Sequence, residues 1–241
     1  MFTAWNSHVK RYIKTGGVFL GLIVQKFGGS SVADAAKVIN VAERVTETYK
    51  AGNQVIVVVS AQGDTTDDLI TKANEINPDA SKREMDVLLS SGEQISIALL
   101  AMAIEKIGCP VVSLTGWQAG FNTNAASGNA RINNIDTERM QSELDRRNII
   151  VVAGFQGLDK YDNITTLGRG GSDTSAVAIA AAMQINVRFI LMSTGSILPI
   201  RVSARTQKSW MKSHTTRCLN LQASVRMCFI TEALRWRRSI M

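Results

Sequence analysis

The first segment of the chain whose residue types could do chemistry contains Lys26, Gly28, Gly29 and Ser30. The segment follows a short run of branched apolar residues, and this predicts a strand that leads into a helix. Glycines let the backbone approach a ligand, a helix N-terminus offers N–H groups to an anion, and a lysine adds positive charge. The Walker pattern G-x-x-x-x-G-K-[ST] is absent. The segment therefore predicts either a phosphate-binding loop or an ordinary glycine turn.

A second glycine-rich segment, GRGGSDT at 168–174, also precedes a helix-like run. The guanidinium of Arg169 could hold a carboxylate or a phosphate through two hydrogen bonds. Ser172 and Asp173 could simply cap the helix, as such residues usually do. Three glycines beside an arginine are not explained by capping alone, so a ligand-binding loop is the favoured interpretation.

Glu93 lies in a third polar segment, SSGEQ at 90–94. Its position suggests the start of a helix, where an acidic residue often does no more than interact with the helix dipole. The strongly apolar run that follows predicts a buried helix. A partnered or ligand-facing Glu93 is therefore the stronger expectation.

The elements that must position these residues alternate between strand and helix. Four apolar runs predict buried strands: LIVQKF, QVIVVVS, PVVSLTG and IIVVAGF. Helical spacing or capping residues mark the segments between them, and the polar stretch 76–84 is expected to be a loop. Repeated strand–loop–helix units predict an α/β fold with a mainly parallel sheet sandwiched by helices. In such a fold, sites form at the carboxyl ends of the strands, where all three polar segments fall.

Six strings together resemble aspartokinase, of the amino-acid kinase superfamily. They are VQKFGGSSVADA, VVVSAQGDTTDDL, LLSSGEQISIALLAMAI, TGWQAG, SGNARI and VVAGFQG followed by TTLGRGGSDTSAVAIAAAM. They are long, ordered and correctly spaced, and the resemblance covers residues 21–185. It implies the amino-acid kinase fold, incomplete at the C-terminus, and assembly into homo- or hetero-oligomers as is usual in the family.

The resemblance also implies phosphorylation of the β-carboxylate of L-aspartate by ATP, with Mg²⁺ carried on the nucleotide. The product, 4-phospho-L-aspartate, begins the synthesis of lysine, methionine and threonine. The implied catalytic residues are Lys26, which stabilises the transferring phosphoryl group, and Asp173, which orients Lys26. The implied substrate-binding residues are Thr66, Glu93, Arg169 and Ser172. The implied phosphate-binding residues are Lys26, Gly28, Gly29, Ser30, Gly170 and Gly171.

Composition limits the partners. The 27 Lys and Arg against 20 Asp and Glu give a net charge of +7, but residues 21–185 alone carry 14 bases and 19 acids. The positive charge is concentrated at the two ends, and no nucleic-acid recognition motif accompanies it, so no nucleic-acid partner is expected. No membrane partner is expected either. Three widely spaced cysteines form neither a disulfide framework nor a zinc signature, and a cytoplasmic location is expected.

Both ends depart from the family. Residues 1–20 form an extension that is not expected to belong to the fold, and translation starting at Leu20 would explain it. Residues 186–241 carry ten bases and one acid, show no sustained helix or strand period, and leave no room for the ACT regulatory domains of the family. We interpret them as the product of a reading-frame shift, because RFILMST can be encoded by codons that read Glu-Ile-Tyr-Thr-Asp-Val-Asp one nucleotide upstream. Sequencing of the locus tests this hypothesis, and an intact frame would refute it.

Three other functions stay open from the sequence. The chain could phosphorylate glutamate, carbamate or UMP, as other amino-acid kinases do. It could be a catalytically inactive gene fragment that acts, if at all, through binding. A nucleic-acid binder that uses the basic tail is the least favoured.

Overall fold

The computed structural model describes residues 21–183 in full and the backbone alone of two strands at 187–193 and 196–202. The expectations for residues 1–20 lie outside the described residues, as do those for the remainder of 186–241. In chain order the strands are β1 (Leu22–Phe27), β2 (Gln54–Val59), β3 (Val111–Leu114), β4 (Phe121–Thr123), β5 (Ile132–Ile135), β6 (Ile149–Ala153), β7 (Gln156–Leu158), β8 (Ile164–Thr166), β9 (Val187–Ser193) and β10 (Ser196–Val202). The helices are α1 (Ala35–Lys50), α2 (Thr65–Ile76), α3 (Lys82–Lys106), α4 (Glu138–Asp145) and α5 (Gly171–Ala182).

The main sheet has six strands in the order β10-β9-β1-β2-β6-β3. Every neighbouring pair is parallel except β9 and β10, which are antiparallel. Alternate residues of one strand bury on opposite faces, because successive side chains of a strand point in opposite directions. Ile56 and Val58 of β2 pack with α4 and α5, whereas Val55 and Val57 pack with α1 and α3. The predicted α/β sandwich with a mainly parallel sheet is confirmed.

A second sheet of four short strands, in the order β5-β4-β7-β8, was not predicted. Its strands have three or four residues each. Runs this short, such as INNI and ITT, carry no apolar alternation that could distinguish them from loops. This small sheet contacts α3 through β8.

Helix α3 begins earlier than the sequence indicated. The Ser81 side chain accepts a hydrogen bond from the Glu84 backbone N–H at 3.4 Å and caps a helix that runs for 25 residues. The expected loop 76–84 is therefore wrong at both ends, because α2 continues to Ile76 and α3 starts at Lys82. Only the stretch between them is a loop.

By length and composition alone, α3 could cross a membrane, with a mean hydropathy of 1.7 over its most apolar window. Its contacts identify it instead as a core helix. One face packs on α1 and the main sheet through Ile97, Leu100 and Ile104. The same helix also buries the carboxylates of Asp86 and Glu93, which a lipid-facing helix would not do.

Two strands follow the last described helix, where the sequence showed no strand period. Strand β9 pairs in parallel with β1, and β10 pairs with β9, so the main sheet extends beyond residue 185. No periodic signal in the sequence indicates these two strands. The short apolar runs FILM and SILPI are the residues that form them. The frameshift origin of residues 186–241 stays a prediction.

Candidate active site

One cavity of about 720 Å³ opens at the carboxyl ends of the central strands. Parallel strands place their following loops at one edge of the sheet, so segments distant in the chain meet there. Of the residues expected from the sequence, those that line the cavity are Lys26, Gly29, Thr66, Glu93, Arg169, Gly170, Gly171, Ser172 and Asp173. Gly28 and Ser30 are not among its lining residues.

Lys26 and Asp173 form an ion pair inside the cavity. Lys26 is the penultimate residue of β1 and is buried, and its Nζ lies 2.7 Å from Oδ1 of Asp173. Asp173 stands in the first turn of α5 and remains partly exposed. The contact fixes the ammonium group in position and leaves it beside open space, which suits a group that must meet an anionic ligand.

Glu93 lies in the middle of α3, eleven residues after the helix begins, and not at the helix start that the sequence suggested. A helix-dipole role is therefore excluded, because that effect is confined to the first turn. Glu93 is only 3% exposed. Its Oε1 accepts a hydrogen bond from the Ala61 backbone N–H at 3.1 Å, and Oε2 is buried with no protein partner among the described residues. The site thus contains one carboxylate oxygen that is free to accept.

Burial raises the pKa of Glu93 to about 7, against the smaller lowering effect of the Ala61 N–H. Burial away from water disfavours the charged form of a carboxyl group unless a cation or further hydrogen-bond donors compensate. A cationic ligand group at Oε2 would provide that compensation. The carboxyl group is thus suited to bind an ammonium.

Two glycines allow this geometry. A Cβ at Gly92 would lie 2.9 Å from the Cβ of Ala61, and a Cβ at Gly29 would lie 2.5 Å from the Ala61 carbonyl oxygen. Both distances are too short for a real side chain. The glycines therefore bring α3 and the first loop into contact with Ala61 from two directions, and this contact lets Glu93 reach the Ala61 N–H.

The first loop is a single 3₁₀ turn over Gly29–Ser31. Gly29 faces the cavity, whereas Ser30 is exposed. The Gly29 carbonyl accepts the Gly63 N–H at 3.1 Å, which ties this loop to the loop after β2. Only part of the expected phosphate-binding segment therefore meets the cavity, namely Lys26 and Gly29.

The second loop leads directly into α5. Gly170 has φ 76° and precedes the first helical residue, Gly171. This left-handed conformation favours glycine, and it turns the start of the helix toward the cavity. Ser172 is buried against Gly154, whose Cβ would lie 2.7 Å from the Ser172 Oγ. Arg169 is exposed at the cavity rim, and Thr66 reaches the cavity from α2.

Sequence reasoning gave no role to several further lining residues, among them Asp86, Gly128, Asn129, Phe155 and Thr166. Asp86 had a detectable signal, because it lies seven residues before Glu93 and therefore on the same face of α3. Phe155 had none. Its φ of 71° is a conformation that few bulky residues adopt, and no sequence pattern reveals it.

No group of three or more His, Cys, Asp or Glu that could hold a metal ion occurs among the residues that the structure describes. Asp173, which lines the cavity at the start of α5, is already paired with Lys26.

A known protein family matches the part of the chain that forms this fold and its cavity. The sequence profile of the amino acid kinase family matches residues 21–197. The chain belongs to the amino acid kinase family.

Within this class the chain is similar to aspartokinases. It is 58% identical over 165 residues to the aspartokinase of Bacillus sp. (strain MGA3), an alignment that covers 68% of this chain and 40% of that protein. The aspartate kinase structure from Synechocystis has a TM-score of 0.61 and 44% identity, with 70% of this chain and 27% of that chain covered. Aspartokinase III of E. coli, solved with aspartate and ADP, has the same TM-score at 23% identity, covering 70% and 49%, and shares the fold. The chain spans about 40% of the length of the curated relatives it matches.

Proposed function

We propose that this chain carries the catalytic cavity of an aspartokinase and that it transfers the γ-phosphoryl group of ATP to the β-carboxylate of L-aspartate. The observation that carries the proposal is the Lys26–Asp173 ion pair at 2.7 Å in the cavity that also contains the buried Glu93. One cavity thus has an oriented cation for a phosphoryl group and an anion for a substrate ammonium. The 58% identity to an aspartokinase supports aspartate as the acceptor.

Each residue then has a distinct task. Lys26 stabilises the negative charge on the transferring phosphoryl group, and Asp173 orients its ammonium. The backbone N–H groups of Gly29 and Gly170 bind phosphate oxygens, whereas the Gly171 N–H already donates to the Gly168 carbonyl at 3.0 Å and contributes only the shape of the loop. Because phosphoryl transfer needs mainly positioning and charge stabilisation, this set of groups is sufficient in kind.

The acceptor is held by four side chains that line the cavity: Thr66, Glu93, Arg169 and Ser172. The free Oε2 of Glu93 accepts from the substrate ammonium, and Arg169 binds a substrate carboxylate. Because Arg169 stands at the exposed rim and Glu93 at the buried side, the two groups would grip opposite ends of a short amino dicarboxylate. This separation selects for a zwitterion that carries a second acid.

Mg²⁺ fits this site as part of the nucleotide. The described residues contain no acidic cluster for an ion, and three of the cavity carboxylates, those of Asp86, Glu93 and Asp173, already have a hydrogen-bond or ion-pair partner. Bound to ATP, the ion would neutralise phosphate charge. We assign the protein to the cytoplasm, where ATP and aspartate are available.

The reaction is tested by measuring ADP release from ATP with L-aspartate, L-glutamate, carbamate and UMP as separate acceptors. Hydroxylamine in parallel assays traps an acyl phosphate as a hydroxamate. We expect ADP release and hydroxamate with L-aspartate alone. Faster turnover with another acceptor would assign the chain to a different amino-acid kinase. A folded chain without turnover on any acceptor would identify a non-catalytic fragment.

Replacement of Arg169 by alanine is expected to raise the KM for aspartate by about 10-fold or more, because a two-pronged guanidinium–carboxylate contact is lost. The KM for ATP should change little. Steady-state kinetics with each substrate varied separately measure both values. Arg169→Lys, which retains the charge but not the planar geometry, should give an intermediate KM. An unchanged aspartate KM in Arg169→Ala would show that this residue has another role.

The pH dependence of aspartate use should follow Glu93, whose pKa is about 7. Below that pH the carboxyl group is protonated and cannot pair with the ammonium, so kcat/KM for aspartate should rise with pH and level off above about 7. The bound ammonium favours the charged carboxylate, so kcat at saturating aspartate should depend less on pH.

Glu93→Gln provides the control for this pH dependence. The amide cannot titrate, so kcat/KM should be lower and lose the inflection near neutral pH. An inflection that persists in Glu93→Gln would assign the titration to another group.

A further inference from the structure

Asp86 is a fully buried carboxylate that the proposed chemistry does not use. It stands in the second turn of α3 and is 0% exposed. Both of its oxygens accept the Gly128 backbone N–H, at 3.0 and 2.9 Å, and Oδ1 also accepts the Thr166 hydroxyl at 2.5 Å. A buried charge is costly unless donors satisfy it, and here every donor comes from a segment that borders the cavity.

The two partners of Asp86 belong to different parts of the small sheet. Gly128 lies in the loop between β4 and β5, and Thr166 ends β8. The loop that contains Gly128 is also joined to Thr166, because the Thr166 carbonyl accepts the Ala130 N–H at 2.8 Å. The loop 124–131 is thereby fixed at two points, and Asp86 provides the connection to the rigid helix α3.

This connection leads to the expected aspartate-binding residues. Thr166 precedes Gly168 by two residues and Arg169 by three. A Cβ at Gly168 would lie 3.0 Å from Oδ1 of Asn129, so the glycine loop rests against the loop that Asp86 holds. Asp86 also shares its helix with Glu93, two turns further on. One helix thus carries the ammonium-binding carboxylate and fixes the segment that bears Arg169.

We propose that Asp86 is a positioning residue for the acceptor substrate. It sets the distance between Glu93 and Arg169 by fixing the Gly128 loop and the end of β8 to α3. The inference rests on the proposed function for its kinetic consequence, but the contacts that it explains exist without substrate. Lys26 and the first glycine loop belong to other segments, and Asp173 lies on α5, which packs directly on β1 and β2.

The kinetic test uses Asp86→Asn and Thr166→Val, each of which removes part of the same connection. An amide at position 86 replaces one acceptor by a donor that faces the Gly128 N–H, and valine removes the hydroxyl. We expect the KM for aspartate to rise about 10-fold in both variants, with the KM for ATP within about 2-fold of its original value. The effects of the double variant should be less than additive, since both changes act on one unit.

Matched variants separate positioning from loss of a buried hydrogen bond. Thr166→Ser retains the hydroxyl and should restore the aspartate KM. Thr123→Val removes a hydrogen bond at 2.6 Å to Thr165 in the same small sheet, away from the cavity. It should lower stability without a change in the aspartate KM. An aspartate KM unchanged in both Asp86→Asn and Thr166→Val, or raised equally in Thr123→Val, would overturn the proposal.

A measurement without substrate separates this proposal from the proposed function. Amide hydrogen exchange of Gly128 and Ala130 in the full chain should be about 10-fold faster in Asp86→Asn and Thr166→Val, and unchanged in Thr123→Val. If the chain turns over no aspartate but these amides respond, the proposed function fails and the positioning contact stands. If Asp86→Asn does not fold, Thr166→Val and Thr166→Ser supply the same comparison. Unchanged exchange in the Asp86 and Thr166→Val variants would overturn the contact.

Discussion

Lys26→Ala is expected to lower kcat for aspartate phosphorylation by about 100-fold or more. The ammonium is buried and held 2.7 Å from Asp173, so its position is fixed before the phosphoryl group begins to move. Its removal leaves the charge that develops in the transition state without this partner, and water cannot replace an oriented cation at the same site. The rate of ADP release at saturating aspartate and ATP measures the effect.

Lys37→Ala is the matched control. Lys37 also forms an ion pair, with Asp34 at 3.2 Å, but on the exposed surface of α1. The kcat of Lys37→Ala should stay within about 2-fold of the original, because a solvated ion pair contributes little even to stability. Circular dichroism of both variants verifies that they are folded. Turnover of Lys26→Ala at the original rate would remove Lys26, and the first loop with it, from the catalytic assignment.

Gly120→Ala should lower the free energy of unfolding by about 3 kcal/mol or more. Gly120 has φ +82°, and a Cβ there would lie 2.0 Å from the Asp136 carbonyl oxygen. The Gly120 carbonyl also accepts the Asp136 N–H at 2.9 Å. The new methyl group must therefore push apart the segment just before β4 and the segment just after β5. Urea denaturation followed by circular dichroism measures the loss.

Gly108→Ala separates backbone strain from this collision. Gly108 has nearly the same φ, +84°, but open space where its Cβ would be. The free energy of unfolding of Gly108→Ala should fall only by the cost of an alanine in the left-handed conformation, about 1–2 kcal/mol. An equal loss of unfolding free energy in the two variants would show that the backbone around Asp136 shifts at little cost and would contradict the prediction. Insoluble Gly120→Ala with soluble Gly108→Ala would agree with the prediction.

The main sheet could be predicted because its strands and helices each carry their own apolar pattern in the sequence. QVIVVV is apolar at every position, and all six residues of β2 are buried, as a strand covered on both faces requires. The helix after β1 was also evident, since Val38, Val41 and Val45 follow helical spacing and are buried. The small sheet could not be predicted, because β4 is defined by pairing with β5 and β7 and not by its own three residues.

Residues of the cavity lining could be predicted where chemistry coincides with a glycine-rich string, as at Lys26 and Arg169. The place of Glu93 within its helix could not be predicted, because the residues SSG are also typical of a helix start. In the structure, Gly92 instead allows α3 to pass close to Ala61. Close approach of two backbones is a tertiary requirement, and a single sequence does not distinguish it from a turn.

The strand order has a consequence for synthesis on the ribosome. Strand β1 is the first strand described and lies between β2 and β9 in the sheet. About 160 residues separate its end from the start of β9, which at a rate of 5–20 residues per second is a delay of about 8–30 s. During that time β1 can pair with β2 while its other edge exposes unpaired backbone groups, the kind of edge that recruits foreign strands. The nascent chain is thus exposed to aggregation along this edge for longer than along the β2 edge that pairs with β6, and a chaperone that shields the β1 edge would act before residue 187 emerges.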